Sequence, residues 1–475
     1  MNLISFLIFL LLGSGTLLFS FFSLKKIIFE GKLVFAILFL VYFLAVNATL
    51  QIVVFDVTRS IELAIAISYL KELYLFLALV SWALYNKGLS DRVFLLSRYD
   101  YVGLFFLVLV TLFYILPIGP ASFANKTIYY KNIVVLASMY FLGRNMSFSQ
   151  KDVLALCHLL LLLVLLAFPL VLIEKLSNTH FQSMIGYTDY IIAKGGEPTG
   201  SYGLQYTFQA NSGAKRFAAF FASPLELATV SILAFTTSFI LANVFHQRRW
   251  IYVPIAVLSF ICLLFSFSRA PIAGFFLMLV FIGYLFGYWR YILAAGLITL
   301  IFLAIPFFFG NEDLRFFIID TFTLADPSSV GHVVDWLDGI ESMLESPEGI
   351  GMGTSGNAGG VDPELQIGGE NQFIILGVQF GVVALLIYGW MVIKSITISK
   401  KVFIARRGQF SSIIPFITAT FKVAFFMSLM TANGEIYNLV AYLAWWMIGY
   451  TIQLNHSLEA KETRETYSLS QLAKG

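Results

Sequence analysis

The stretch "LLFSFSRAPIAGFF" (residues 263–276) sets one arginine, Arg269, in a run otherwise apolar enough to dissolve in lipid. An arginine near a bilayer centre costs roughly 2.5–3.5 kcal/mol even on insertion-based scales, so such a residue is paired, interfacial or chemical. A second arginine, Arg216, stands in "NSGAKRFAAFFASPLELA", and Glu370 stands beside Asn371 in "GGENQFIILG". Two guanidiniums facing one half-dry space suit a phosphate or pyrophosphate, because each donates through a bidentate fork and stays charged. A carboxylate at a membrane edge is competent as a general base toward a hydroxyl. Each residue also has a plainer alternative: snorkelling or a salt bridge from Arg216 to Glu226, and for Glu370 an acid placed favourably ahead of a helix N-terminus.

Other candidates carry less chemistry. Lys71–Glu72 and Lys422 fall inside apolar spans; pairing of Lys71 with a carboxylate, and of Lys422 with Glu435, makes them packing ion pairs. His332, beside Asp335 and Trp336, is a lone histidine on a helix face. The run "GIGMGTSGNAGG" lacks G-K-[ST] and no strand precedes it, so it is a close-approach turn and not a nucleotide site. No His/Cys/Asp cluster has metal-ligand spacing and no G-x-S-x-G occurs, which leaves metalloenzyme and serine hydrolase chemistry without support.

The elements that must position these residues are membrane helices. The 475-residue chain is 59% hydrophobic and 12% charged, with 49 phenylalanines and a mean hydropathy of +0.85; this is the composition of an all-α polytopic membrane protein. A formal charge of +3 excludes a nucleic-acid binder on electrostatic grounds. Cys157 and Cys262 both sit in apolar runs, so no structural disulfide is expected. The N-terminal "MNLISFLIFLLLGSGTLLFSFF" lacks a basic n-region and an A-x-A site, and is expected to be a retained helix.

A ~30 Å hydrocarbon core needs about 20 apolar residues per span. Candidates lie near 3–23, 33–54, 61–84, 101–118, 128–143, 153–173, 218–245, 250–267, 270–288, 291–309, 371–393, 412–431 and 436–454, giving about 12–14 transmembrane helices in a single membrane domain, 1–475. With the N-terminus outside, 19 of the 30 basic residues fall on the cytoplasmic side, and segment 310–370 comes out external with twelve acidic residues and Arg315 as its base. Two external loops, 174–217 and 310–370, are too long for turns, and such loops carry function. In the second, Val330, Val333, Val334, Leu337, Ile340 and Leu344 recur at helical spacing with acids between them, predicting an amphipathic helix against the outer face, capped by Ser328 or Ser329. In the first, Tyr187, Tyr190, Tyr202 and Tyr206 could stack on sugars or serve as structural aromatics.

Together these features resemble the bacterial O-antigen ligase and polymerase superfamily across roughly residues 200–450. "KRFAAFFASPLELA" resembles its Arg-containing stretch, "FSFSRAPIAGF" its Ser-Arg step between helices, and "SSVGHVVDWLDGIESMLESPEGIGMGTSG" with "GGENQFIILGVQFGVVALLIY" its external helix, glycine turn and return to the membrane. The resemblance implies a GT-C-like fold and a metal-independent glycosyltransferase with no cofactor. Its donor would be an undecaprenyl-pyrophosphate-linked glycan, with the pyrophosphate held by Arg216 and Arg269. His332, Asn371, Tyr202 and Tyr206 join the expected substrate contacts, and Glu370 the catalytic set. It also implies the bacterial inner membrane, an active site on the periplasmic side, and a flippase and chain-length regulator as partners. Two positions depart from the family: His332 stands where an Arg often precedes the Trp, and Glu370–Asn371 stands where ligases carry His-Asn. The carboxylate favours a repeat-unit polymerase over a ligase that moves finished polymer to another acceptor. A transporter of lipid-linked sugar is the reading from another class, but inverted repeats with broken helices are not found.

Overall fold

Runs of about 20 apolar residues can satisfy their backbone in lipid only as helices, and the described residues of this chain do so. The computed structural model describes residues 3–85, 96–200, 202–209, 215–290, 327–356 and 366–472, with positions 293, 296, 297 and 361. Among these residues all regular secondary structure is helical, and two isolated β-bridges, Gln209–Lys215 and Ser355–Ile367, pin loops.

In chain order the helices are α1 (Leu3–Glu30), α2 (Val34–Thr58), α3 (Ile61–Ser68), α4 (Leu70–Tyr85), α5 (Arg98–Ile115), α6 (Phe123–Asn145), α7 (Gln150–Ser177), α8 (Phe181–Met184) and α9 (Tyr187–Ala193). They continue with α10 (Pro224–Val244), α11 (Arg249–Phe265), α12 (Arg269–Phe286), α13 (Pro327–Glu345), α14 (Gln372–Phe380), α15 (Val382–Ala405), α16 (Ile413–Thr431) and α17 (Asn438–Leu472). Ten described segments are long and apolar enough to cross a membrane. The expected span 128–143 lies within α6 and that at 436–454 lies within α17 from Asn438 onward, both helices carrying more polar residues; the expected span 291–309 and the loop residues through 326, Arg315 included, fall largely outside the described residues. The protein is a multi-pass, all-α membrane protein.

Three helices form the centre. The apolar windows of α2, α10 and α16 are each 78% buried, against 11% for α1, which presents most of its surface outward. The helix carrying Arg269 meets α16 at Gly274, where an added Cβ would lie 2.1 Å from the Ala424 carbonyl oxygen; small residues allow such approach where no hydrophobic effect drives helices together. Cys157 and Cys262 are buried and unbonded, as expected.

Two expectations are corrected. The span expected at 371–393 is broken: α14 stops at Phe380 and α15 starts at Val382. The cause is backbone pairing with the Pro347–Gly351 segment, through Ile350 N–H to Val378 O (2.9 Å), Gly351 N–H to Gln379 O (3.1 Å) and Val382 N–H to Pro347 O (2.9 Å). Gly381 has φ +86°, and a Cβ there would meet the Glu348 backbone at 2.7 Å. The span expected from 218 begins only at Pro224, capped by Ser223. α13 forms, and its apolar stripe is left uncovered by the protein: Leu337 and Leu344 are 60% and 79% exposed. The helix docks instead through Trp336 and Met343, which pack against Ile374 and Val378 of α14, while Gly339 lies against Gly368. Its proposed Ser328 or Ser329 cap lies outside the described side chains.

Candidate active site

Residues 217–223 enter the protein without helical structure, although Phe217 and Phe221 are 2% and 1% exposed. Irregular backbone at this depth survives only if its polar groups find partners. They do. Glu174 at the end of α7 accepts the Ala219 N–H (3.0 Å) on one oxygen and the Phe181 N–H (2.9 Å) on the other. Gln182 donates to Ala219 O (2.7 Å) and Phe221 O (3.2 Å), and Thr49 donates to Phe220 O (2.8 Å). Ala219 takes φ +49° within this frame.

The loop delivers Arg216. Its own N–H donates to Phe208 O (2.9 Å), and the Phe217 N–H donates to Phe265 O (3.3 Å). The guanidinium donates from Nε to Ser266 O (3.2 Å) and from Nη2 to Ser268 Oγ (2.8 Å). Those serines flank Phe267, whose φ of +47° is an outlier for a bulky residue. The strained Ser-Phe-Ser step therefore clamps Arg216 immediately before Arg269 starts α12. Backbone strain of this kind persists only where the surroundings over-determine it, and it clusters at sites of function.

Arg216 lies within electrostatic range of Tyr437, Arg269 and Glu370. Burial pushes its guanidinium down to about 10, with Tyr437 and Glu370 acting against that shift and Arg269 adding to it. It stays charged at neutral pH. The Tyr437 hydroxyl is raised above its usual range, first by burial and then by Glu370. Four groups from four segments thus converge: a loop arginine, a helix-start arginine, a carboxylate ahead of α14 and a phenol ahead of α17. Guanidiniums are groups suited to a diphosphate, and a carboxylate and a hydroxyl lie within the same field.

The remaining sequence candidates divide. The alternative salt bridge from Arg216 to Glu226 does not form: Glu226 accepts the Ala222 N–H (3.0 Å), and no ion pair among the described residues joins it to Arg216. Asn371 is 3% exposed, and its Oδ1 caps α14 by accepting from Phe373 N–H (3.0 Å) and Ile374 N–H (3.3 Å). Tyr187 and Tyr190 are buried, the latter donating to Gln51 Oε1 (2.8 Å). Tyr202 and Tyr206 are 36% and 64% exposed, and Lys215 Nζ lies 4.7 Å from the Tyr202 ring centre. His332 is half-buried near the start of α13. Lys71 pairs with Glu72 at 4.0 Å, as expected, and Lys131 joins at 3.1 Å. Lys422 does not pair directly with Glu435 among the described residues; it sits over the Trp445 and Phe425 rings, while Glu435 accepts from Tyr388 and from Trp445 Nε1 (2.9 Å).

Sequence reasoning missed Tyr437, Glu174 and Gln182. Glu174 had a usable signal, a carboxylate one residue beyond an apolar span, where an ionisable group needs a reason. Tyr437 had none, since an aromatic beside a membrane helix is ordinary.

Residues 254–389 match the model of the O-antigen ligase family. The match supports the superfamily resemblance over a narrower stretch than 200–450, taking in Arg269, His332, Glu370 and Asn371 but not Arg216. It supports a membrane enzyme of O-antigen or polysaccharide assembly. No curated protein matches the chain.

Proposed function

Starting from the O-antigen ligase match at residues 254–389, we propose that this protein is a glycosyltransferase that polymerises undecaprenyl-pyrophosphate-linked oligosaccharide repeat units on the extracytoplasmic face of the bacterial inner membrane. The observation that carries this reading is Arg216, fixed by two hydrogen bonds to the Ser266–Ser268 step and within range of Arg269, Glu370 and Tyr437. Arg216 and Arg269 hold the donor pyrophosphate. The acceptor hydroxyl oxygen attacks the donor anomeric carbon and its proton passes to Glu370. The carbon–oxygen bond to the pyrophosphate breaks, and undecaprenyl pyrophosphate leaves with the bonding pair. Charge grows on that leaving group in the transition state, where prepositioned guanidiniums lower the barrier without reorganising. Tyr202 and Tyr206, exposed beside the cluster's loop, are candidates to stack on sugars.

Transfer of finished polymer to a lipid or protein acceptor is the second reading, favoured by the ligase description of the matched family. Deleting the gene separates the two. A surface glycan ladder collapsing to single-repeat material supports polymerisation; full-length polymer accumulating on its lipid carrier supports ligation. Repeat units retained inside the cell would overturn both in favour of transport.

A further inference from the structure

A cavity of about 1100 Å³ has the α16–α17 connector in its wall, and Arg216, Arg269 and Glu370 are not among its lining residues. Its walls come from α4, α5, α6, α14, α15, α17 and the connector itself. Along α6 it is lined by Tyr129, Ile133, Leu136, Tyr140 and Arg144, one continuous helical face. At 1.5 Å per residue that face runs about 22 Å, most of a ~30 Å hydrocarbon core.

The two ends of the cavity carry polar groups. At one end Asp100 and Arg144 pair at 3.3 Å. Much of the rest of the lining is apolar, with Leu104, Leu107, Leu136, Leu376 and Met391, and the one carboxylate there, Glu435, is hydrogen-bonded by Tyr388 and Trp445. The other end carries Lys71, Gln372, Asn438 and Asn433. Asn433 is 3% exposed, and its Nδ2 has no hydrogen-bond partner among the described residues. A buried amide donor left unmatched is costly unless something arrives to accept from it. The connector is a partition: Asn433, Glu435 and Ile436 face the cavity, while Tyr437 lies within range of Arg216 and Glu370.

We propose that this cavity holds the isoprenoid chain of the lipid-linked acceptor, with its head end at Asn433, Gln372 and Lys71. The inference rests on the polymerase reading above. A reaction joining two lipid-linked glycans must seat two chains whose head groups meet at one base. The arginines serve one diphosphate from the α12 side. The cavity approaches the same place from the α6 side, and none of Arg216, Arg269 or Glu370 lines it. Its length and largely apolar lining fit a long unbranched-path hydrocarbon, and its polar end fits the beginning of a head group.

The test uses purified protein in nanodiscs and acceptors bearing the host's repeat unit on either a C55 or a C10 prenyl diphosphate. The intact protein should show a KM for the C55 acceptor at least tenfold below that for the C10 acceptor. Ala137→Trp and Leu107→Trp, which fill the cavity, should each raise the C55 KM to the C10 value while leaving donor KM unchanged. Unchanged acceptor KM in both variants, or a rise in donor KM instead, overturns the proposal. Should the variants fold poorly, a diazirine-bearing C55 acceptor on the unaltered protein decides: crosslinks to cavity-lining residues of α4, α5, α6, α14, α15 or α17 support it, and crosslinks confined to residues that do not line the cavity overturn it. Arg269→Ala is run in parallel. Normal donor use by that variant defeats the polymerase reading itself, whereas loss of donor use with silent cavity variants defeats this inference alone.

Discussion

Glu174 organises the loop that presents Arg216, so its removal gives a quantitative test of how the site is built. The carboxylate is 1% exposed and accepts one backbone N–H on each oxygen, from Phe181 at 2.9 Å and Ala219 at 3.0 Å. Glu174→Ala leaves both donors buried without partners, at about 1–3 kcal/mol each, so roughly 2–6 kcal/mol in total. Native domains are stable by only about 5–15 kcal/mol, so a loss of that size is resolved locally, by release of residues 215–223. Glu174→Gln keeps one acceptor oxygen and should lose about half as much. Thermal unfolding in detergent measures the stability, and titration with undecaprenyl pyrophosphate measures the affinity. The expected result is a lower Tm and weaker binding in the order wild type, Gln, Ala. An alanine variant with wild-type Tm and affinity would refute the claim that this carboxylate holds the loop.

Further outcomes follow from the same geometry. Arg269→Lys keeps the charge but loses the fork; losing one charge-assisted hydrogen bond of about 1.5–3 kcal/mol should cut transfer roughly 10- to 150-fold at equal protein level, read from initial rates. Gly381→Ala forces a Cβ to within 2.7 Å of the Glu348 backbone at φ +86°. It should cost about 2–5 kcal/mol, combining overpacking with left-handed strain, and appear as a lowered Tm. Burial depresses the His180 imidazole, and nearby Lys215 adds to that, against the Phe208 and Arg216 backbone groups. The unfolded loop therefore binds the proton more readily than the folded one. Its contribution to stability is complete above the unfolded value of about 6.5 and is lost as pH falls toward the folded one. Limited proteolysis near residues 195–209 should accelerate on acidification, and His180→Gln should flatten that dependence.

Much of the architecture was legible because lipid imposes a coarse rule: about 20 apolar residues make a helix. Arg216, Arg269 and Glu370 stood out because charge at a membrane edge is expensive, and the structure brings all three into one field. The same rule hid the buried loop at 217–223, since a Phe-rich segment reads as a span whether it lies in lipid or inside protein. It also merged α14 with α15, because the break at Gly381 comes from backbone pairing with residues 347–351, distant in sequence. For α13, periodicity identified the helix, but its contact with the rest of the protein, made by Gly339 and Met343, lay outside the periodic stripe and was not visible. Asn371 was read as a substrate contact; its Oδ1 also caps α14, a role that periodicity alone does not reveal. The acceptor cavity could not be seen at all, being a property of how five or more helices fail to meet.

The most direct test of the central claim is a reaction with purified components. Protein in nanodiscs is supplied only with undecaprenyl pyrophosphate carrying one repeat unit, without metal or nucleotide sugar, and the lipid-linked products are resolved on a gel. The account predicts a ladder of two, three and more units with release of undecaprenyl pyrophosphate, abolished by Arg269→Ala and by Glu370→Gln. A single band that never lengthens, or a ladder that both variants still produce, would contradict it.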